Sequence, residues 1–186
     1  RRKLKQKNIA AIVSGAFFLI LIVSFVIIPW LKGWIYAKQI PPLPDLKIES
    51  KPVVEFLTNA YSNALKDAAS DEVVGKLGIA FHANFFYDKA DECYELASNI
   101  NDDNWLWFYY RALIKEELGD TDGAIDLFVK VTEINPTVTP AWFRLGNSLL
   151  KINSYLEAEN AFKRVIELPE YDANEVTGFT SYNKGA

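Results

Sequence analysis

The chain contains 186 residues, with 20 basic and 24 acidic side chains, a formal net charge of −4 and a single cysteine. The lone cysteine excludes a disulfide within the chain. Residues 1–40 hold seven basic and no acidic side chains, whereas residues 41–186 hold 13 basic and 24 acidic ones, a net charge of −11. This acidic part argues against a nucleic-acid partner, because phosphates require a basic patch.

The first element along the chain is an apolar stretch over residues 9–31, which contains no charged side chain. At about 1.5 Å per residue, a helix of this length spans the roughly 30 Å hydrocarbon core of a bilayer. Five basic side chains precede it within residues 1–8, and Trp30 and Trp34 form an aromatic belt at its far end. We therefore predict a membrane anchor from Ile9 to Leu31, with a cytoplasmic N-terminus and the rest of the chain on the outer, periplasmic-type side.

A cleavable signal peptide is the alternative interpretation of this stretch. Its apolar region would normally contain about 7–15 residues and end at a small-x-small cleavage site. Neither feature fits residues 9–31 well. The sequence therefore favours a stable anchor.

The segment over residues 32–50 is membrane-proximal and contains the run Pro41-Pro42-Leu43-Pro44. Such a run is extended and stiff, so we expect a short spacer that lifts the following domain off the membrane. Residues 51–70 then place apolar side chains at helical spacing, after Ser50 as a candidate N-cap. This predicts a leading helix that packs against the first of the repeats.

A 34-residue period organises the chain from residue 71 onward, in rows 71–104, 105–138 and 139–172. The twentieth position of each row is alanine: Ala90, Ala124 and Ala158. The twenty-fourth is aromatic: Tyr94, Phe128 and Phe162. The eighth is small: Gly78, Ala112 and Gly146. Small residues let two antiparallel helices approach closely, and the aromatic fills the space between successive hairpins, so this is a repeat protein.

The pattern resembles the tetratricopeptide repeat (TPR) family. The motif residues are Leu77-Gly78, Ala90 and Tyr94, then Phe108, Ala112, Ala124 and Phe128, then Trp142, Leu145-Gly146, Ala158 and Phe162. Arg111, Asp102 and the shortened end Leu168-Pro169 depart from it. The resemblance implies an all-α protein, in which a single transmembrane helix precedes an α-solenoid of about three helix-turn-helix repeats. We expect helices at about 71–84, 87–100, 105–118, 121–134, 139–152 and 155–168.

The resemblance also implies a concave groove lined by positions 2, 5, 9 and 12 of each first helix. The corresponding residues are His82, Leu106, Tyr109, Leu113, Glu116, Phe143 and Asn147. Tyr109 and Phe143 could stack on a partner segment, whereas capture of a C-terminal carboxylate is not expected in a groove with so few basic side chains. The alternative is that the aromatic run over residues 105–110 meets a neighbouring helix or a further segment of chain.

Catalytic chemistry is not predicted. His82 and Cys93 could in principle form a nucleophile pair, but Cys93 lies beside the aromatic position of the first repeat, where a small buried residue is ordinary. Asp120, Asp122 and Asp126 lack the full ligand spacing of a calcium loop and are interpreted as an acidic turn. We therefore expect no enzyme activity, no metal and no cofactor.

The sequence thus predicts a membrane-anchored interaction module: a scaffold, an assembly factor or an accessory subunit of a larger membrane complex. Its partners would be other protein subunits and, through residues 9–31, the lipid bilayer. The alternative is the anchored TPR part of a longer protein whose enzymatic or electron-transfer domain lies elsewhere. Because the sequence has no methionine, we expect that Arg1 is not the native start, and residues 173–186 are either an irregular cap or continue into further chain.

Overall fold

The computed structural model describes residues 20–47 and 49–168, and within these ranges every regular element is helical. The chain divides into two compact units, one up to Asn101 and one from Asp102. The first unit contains α1 (Ile28–Ala37), α2 (Lys51–Lys66), α3 (Asp71–Ala83) and α4 (Tyr87–Ile100). The second contains α5 (Trp105–Glu117), α6 (Thr121–Ile134), α7 (Thr139–Lys151) and α8 (Tyr155–Glu167).

The N-terminal helical segment covers Ile20–Ala37 and is long and apolar enough to cross a membrane by length and composition. It consists of a π-helical stretch, Val23–Ile27, that continues into α1. Residues 9–19, including the predicted start at Ile9, lie outside the described residues. The helix extends six residues beyond the predicted end of the anchor at Leu31, to Ala37.

The linker after α1 begins with two buried residues. Ile40 is only 6% exposed and Pro41 is also buried. Burying an apolar side chain such as isoleucine stabilises the folded chain by about 1.5–3 kcal/mol, which favours packing over an extended path through water. The linker is therefore packed at Ile40 and Pro41.

The α3–α4 hairpin of the first unit depends on one close approach. A Cβ atom added at Gly78 would lie 2.7 Å from two ring carbons of Tyr94, a distance that no real Cβ contact tolerates. Tyr94 and Ala90 are fully buried in the interface that α3 and α4 share. The glycine therefore makes room for the aromatic ring, and α2 also packs against α3.

The second unit repeats this arrangement. Its α7–α8 hairpin has Gly146, where an added Cβ would lie 2.6 Å from the Phe162 ring. Its α5–α6 hairpin has Ala112 at the same repeat position. The buried core of this unit consists of Ala112, Ala124, Phe128, Val131, Val138, Ala141, Leu145 and Ala161. Ala158 is also fully buried, whereas Phe162 is half-buried.

The turn inside each hairpin has the same backbone geometry. Phe85, Gly119 and Asn153 are 34 residues apart and have φ values of 63°, 77° and 63°. This left-handed conformation is easy for glycine, tolerable for asparagine and unfavourable for phenylalanine. The repeat therefore imposes the turn even where the local sequence opposes it.

Side-chain caps begin three of the helices. Ser70 Oγ accepts from Val73 N–H, Asn104 Oδ1 from Leu106 N–H, and Asp120 Oδ1 from Gly123 N–H, at 3.3, 3.2 and 3.0 Å. Ser50 takes the extended backbone expected of an N-cap, but its side chain makes no cap hydrogen bond. Ser50 therefore lies at the predicted N-cap position of α2 but does not form the side-chain hydrogen bond of a cap.

Candidate partner-binding surface

The α5–α7 surface is the candidate site, and it is defined by Leu106, Tyr109, Leu113, Glu116, Phe143, Arg144 and Asn147. On α5, Tyr109, Leu113 and Glu116 follow one another at spacings of four and three residues, which places them on one face of the helix. On α7, Phe143 and Asn147 are four residues apart. All seven belong to the second unit.

An ion pair joins the two helices of this surface. Arg144 Nη1 on α7 donates to Glu116 Oε2 on α5 at 2.6 Å, and Ser148 Oγ lies 3.4 Å from Glu116 Oε1. The Glu116 side chain is 14% exposed and that of Arg144 is 43% exposed. Because a guanidinium has five N–H donors, Arg144 can bind Glu116 and still present donors toward solvent.

Tyr109 lies beside this ion pair and also contacts the core. Its ring centroid is 5.9 Å from that of the fully buried Phe128 and 6.1 Å from that of Trp105, both in edge-to-face geometry. Burial raises the pKa of the Tyr109 hydroxyl, and the positive charge of Arg144 and a hydrogen bond from it act in the opposite direction. Tyr109 therefore has one part in the core and one part at the surface.

The other predicted groove residues of this unit differ in exposure. Phe143 is 52% exposed, and its ring centroid lies 6.0 Å from that of Phe162. Leu106, Leu113 and Asn147 are half-buried, and Leu113 packs against the core. Phe143 is thus the apolar side chain that the surface offers most openly to a partner.

His82 belongs to the first unit and has partners of its own. Its Nδ1 lies 3.4 Å from the Tyr94 hydroxyl, and its ring packs edge-on against Tyr87 at a centroid distance of 5.5 Å. The side chain is half-buried on α3. Its predicted role in a groove stays a prediction, and the structure places it in an aromatic cluster.

The aromatic run over residues 105–110 is divided between burial and partial exposure. Trp107 and Tyr110 are 2% and 3% exposed, whereas Trp105, Leu106, Phe108 and Tyr109 are half-buried. A helix buries a stripe and not its whole circumference, so this division is expected. Two members of the run are therefore structural, and Tyr109 is the one that reaches the ion pair.

Arg144 and Ser148 are not among the predicted lining residues, because they occupy the sixth and tenth positions of their repeat, although Arg144 was a possible basic residue of the groove. The opposite charges of Glu116 and Arg144 are the one sequence signal that could have predicted their contact. Glu116 is a carboxylate in the last turn of α5, and Arg144 follows in the next first helix. Only the packing of successive repeats shows that the side chain at position 6 of one repeat contacts the side chain at position 12 of the repeat before it.

Cys93, the candidate nucleophile, lies in the core of the first unit. Cys93 is fully buried, and its pKa is raised by burial and by the charge of Glu92, with Lys89 acting in the opposite direction. A thiol kept protonated is a poor nucleophile. Among the described residues, no group of three or more His, Cys, Asp or Glu side chains could hold a metal ion.

Comparison with known proteins supports the repeat assignment. Residues 109–138 and 139–172 match the family model of the tetratricopeptide repeat, which covers most of the second predicted row and all of the third. Residues 109–172 are therefore similar to tetratricopeptide repeats, a module of protein–protein interaction.

Solved structures show the same fold. A crystal structure of MamA superimposes with a TM-score of 0.59 at 21% identity, covering 63% of this chain and 68% of that one. The first TPR domain of Spaghetti (RPAP3), in a structure that contains an HSP90 peptide, superimposes with a TM-score of 0.52 at 20% identity, covering 62% of this chain and 91% of that one. At these identities the likeness concerns the helical solenoid alone.

Two relatives are similar in sequence. The peroxisomal targeting signal receptor of Candida albicans is 27% identical over 137 residues, which are 73% of this chain and 23% of the receptor. The small glutamine-rich tetratricopeptide repeat-containing protein 2 of Mycosarcoma maydis is 32% identical over 90 residues, which are 48% of this chain and 25% of that protein. The chain thus spans about a quarter of the length of each of these relatives.

Proposed function

We propose that this chain is a membrane-anchored interaction module whose α5–α7 surface binds a segment of a partner protein. The observation that carries the proposal is that one turn of α7 presents both Phe143, which is 52% exposed, and Arg144, whose guanidinium is bound by Glu116. An exposed aromatic ring next to an oriented donor is the combination that dominates the energetics of many protein interfaces. The partner segment would supply an apolar side chain for Phe143 and an acceptor for the free donors of Arg144.

Site-specific crosslinking tests this surface. A photo-reactive phenylalanine analogue at position 143 should form a crosslink to one partner of defined mass in membranes of the native host. The matched control is the same analogue at Ile166 on α8, which is 82% exposed. Equal crosslinking at both positions, or none at position 143, contradicts the proposal.

Substitution gives a second test of the same surface. Phe143→Ala should reduce retention of the crosslinked partner on co-purification by at least fivefold and leave the melting temperature unchanged. Ile166→Ala should retain the partner. Tyr109 is a poorer probe, because its ring packs against Phe128 and truncation would also remove core contacts.

The membrane part of the proposal rests on the apolar helix Ile20–Ala37 and on the basic residues that precede residue 9. We propose a single span with a cytoplasmic N-terminus and the repeats on the outer side. Resistance to carbonate extraction tests the anchor, and protease added to the outer side of intact cells or spheroplasts tests the orientation. Release by carbonate would leave a peripheral protein and refute the anchor.

A second proposal keeps the same surface and anchor but makes them one part of a longer protein that also carries an enzymatic or electron-transfer domain. The two relatives support it, since the matched repeats occupy 23% and 25% of their lengths. The mass of the endogenous protein, detected with an antibody against the repeats, separates the two proposals.

A further inference from the structure

Only two exposed residues separate the end of the apolar helix from the first buried residue of the linker. α1 ends at Ala37, and only Lys38 and Gln39 are exposed before Ile40, which is 6% exposed. The backbone N–H of Gln39 donates to the Tyr36 carbonyl at 2.9 Å, and α1 contacts α2. The chain therefore passes from the apolar helix into the packed unit within two residues.

Helix length sets how far this junction can stand from a bilayer. If the hydrocarbon core ends at Leu31, residues 32–37 rise a further ~9 Å along the helix axis. The polar headgroup layer on each side of a bilayer is about 5–8 Å thick. The helix would therefore end at the outer edge of the headgroups, and Ile40 would be buried immediately above them.

The side chains at this junction suit the lipid–water interface. Trp30 and Trp34 are 69% and 51% exposed, and Lys38 Nζ lies 3.5 Å from the centroid of the Trp34 ring. Tryptophan and lysine side chains with an apolar body and a polar tip are typical of this layer.

The charge distribution also suits a position of this junction at the lipid–water interface. Residues 32–51 hold four lysines and two acidic side chains, whereas residues 52–186 hold 11 basic and 22 acidic ones. One of the four lysines, Lys47, is paired with Asp45 at 3.2 Å. The acidic repeats are repelled by anionic headgroups, whereas the junction has a net positive charge and is not.

We propose that helices α2, α3 and α4 of the first unit rest on lipid headgroups at the α1–α2 junction and are not held away from the bilayer by a spacer. The proposal depends on the membrane anchoring proposed above. It identifies the partner of this surface as the headgroup layer of the leaflet from which α1 emerges. It also makes α2 the helix nearest to the lipid among α2, α3 and α4.

Fluorescence quenching by headgroup-labelled lipid tests this proposal. The full chain with Cys93→Ala carries a single new cysteine at Lys51, Glu55 or Asn59, which are exposed positions on α2. Each variant is labelled with a fluorophore and reconstituted into phosphatidylcholine vesicles that contain a lipid with a nitroxide on its headgroup. The reference carries the same labels and a twelve-residue Gly/Ser insertion between Lys38 and Gln39, which adds a mean reach of about 20 Å.

At least one α2 position should be quenched twofold or more relative to the same position in the insertion variant. Equal quenching with and without the insertion overturns the proposal, provided that both proteins have the same melting temperature. Vesicle flotation separates this outcome from a failure of anchoring. A protein that does not float with the vesicles has no anchor, whereas one that floats and shows no quenching at α2 has an anchor and a free spacer.

Discussion

The Glu116 carboxylate and the Arg144 guanidinium lie 2.6 Å apart and join α5 to α7, two helices of successive repeats. The contact has two effects on the second unit. It fixes the relative position of the helices that form the α5–α7 surface, and it offsets a negative charge on an acidic domain. Since Arg144 is 43% exposed, solvent screens part of the interaction.

Breaking this pair should lower stability modestly. Glu116→Gln is expected to reduce the free energy of unfolding by about 1 kcal/mol, because the contact is charge-assisted but only partly buried. A double-mutant cycle with Arg144→Gln in urea denaturation measures the coupling, which should weaken in high salt. Glu159→Gln is the matched control, since the pair of Glu159 with Lys163 is 60% and 58% exposed, and it should have no measurable effect. Coupling that is insensitive to salt would show that the contact acts through packing instead.

The two close-packed glycines should respond differently to alanine. Gly78→Ala places a Cβ against Tyr94, which is fully buried and has no room to move, so a net loss of about 1–3 kcal/mol is expected. Gly146→Ala should cost less, because the Phe162 ring is half-buried and can shift outward. Urea denaturation compares both with Ala112→Gly, which should lose about 0.5–1 kcal/mol from helix propensity. A larger loss at Gly146 than at Gly78 would contradict this account.

The left-handed turn residue of the first repeat should be improved by glycine. Phe85 has φ of 63° and is 77% exposed, so Phe85→Gly should raise the free energy of unfolding by about 1 kcal/mol. Gly119→Ala should lower it by a similar amount, because alanine is strained at φ of 77°. Thermal denaturation of both variants measures these two changes in stability. Destabilisation by Phe85→Gly would mean that the contact of Phe85 with the Tyr87 ring outweighs the backbone strain.

The buried thiol should make stability fall at alkaline pH. Burial raises the pKa of Cys93, so the folded state keeps the proton that the unfolded chain releases above about pH 8.5. The unfolded state then binds fewer protons than the folded state, and the free energy of unfolding decreases as pH rises. Cys93→Ala should remove this part of the slope in urea titrations between pH 8 and 10. Rapid reaction of Cys93 with a thiol reagent in the native protein would contradict the burial on which the prediction depends.

Much of the helical architecture follows from local spacing. The six helices expected after residue 71 are all present, and each begins at the predicted residue and ends at most one residue early. This is possible because small and aromatic residues at fixed positions specify a hairpin through contacts between helices that are adjacent along the chain. Periodicity did not predict the end of the apolar helix, which continues through Lys32 and Gly33 to Ala37.

The candidate site was predictable only in part. The family resemblance selected Tyr109, Glu116 and Phe143 by position, but it could not show that Glu116 is already bound or that Tyr109 packs on Phe128. It placed His82 in the same groove, whereas the structure pairs His82 with Tyr94 and Tyr87. Each difference is a side-chain contact that helical position alone does not specify.

By itself the sequence determined the repeat, its register and the division of charge between a basic N-terminus and an acidic helical domain. These properties depend on residue type and on spacing along the chain, which a single sequence contains in full. The tertiary structure alone decided that Arg144 reaches Glu116 and that Ile40 is buried immediately after the apolar helix. Those contacts depend on how closely helices approach and on which apolar surface is free to bury a side chain, and both are set by packing between segments.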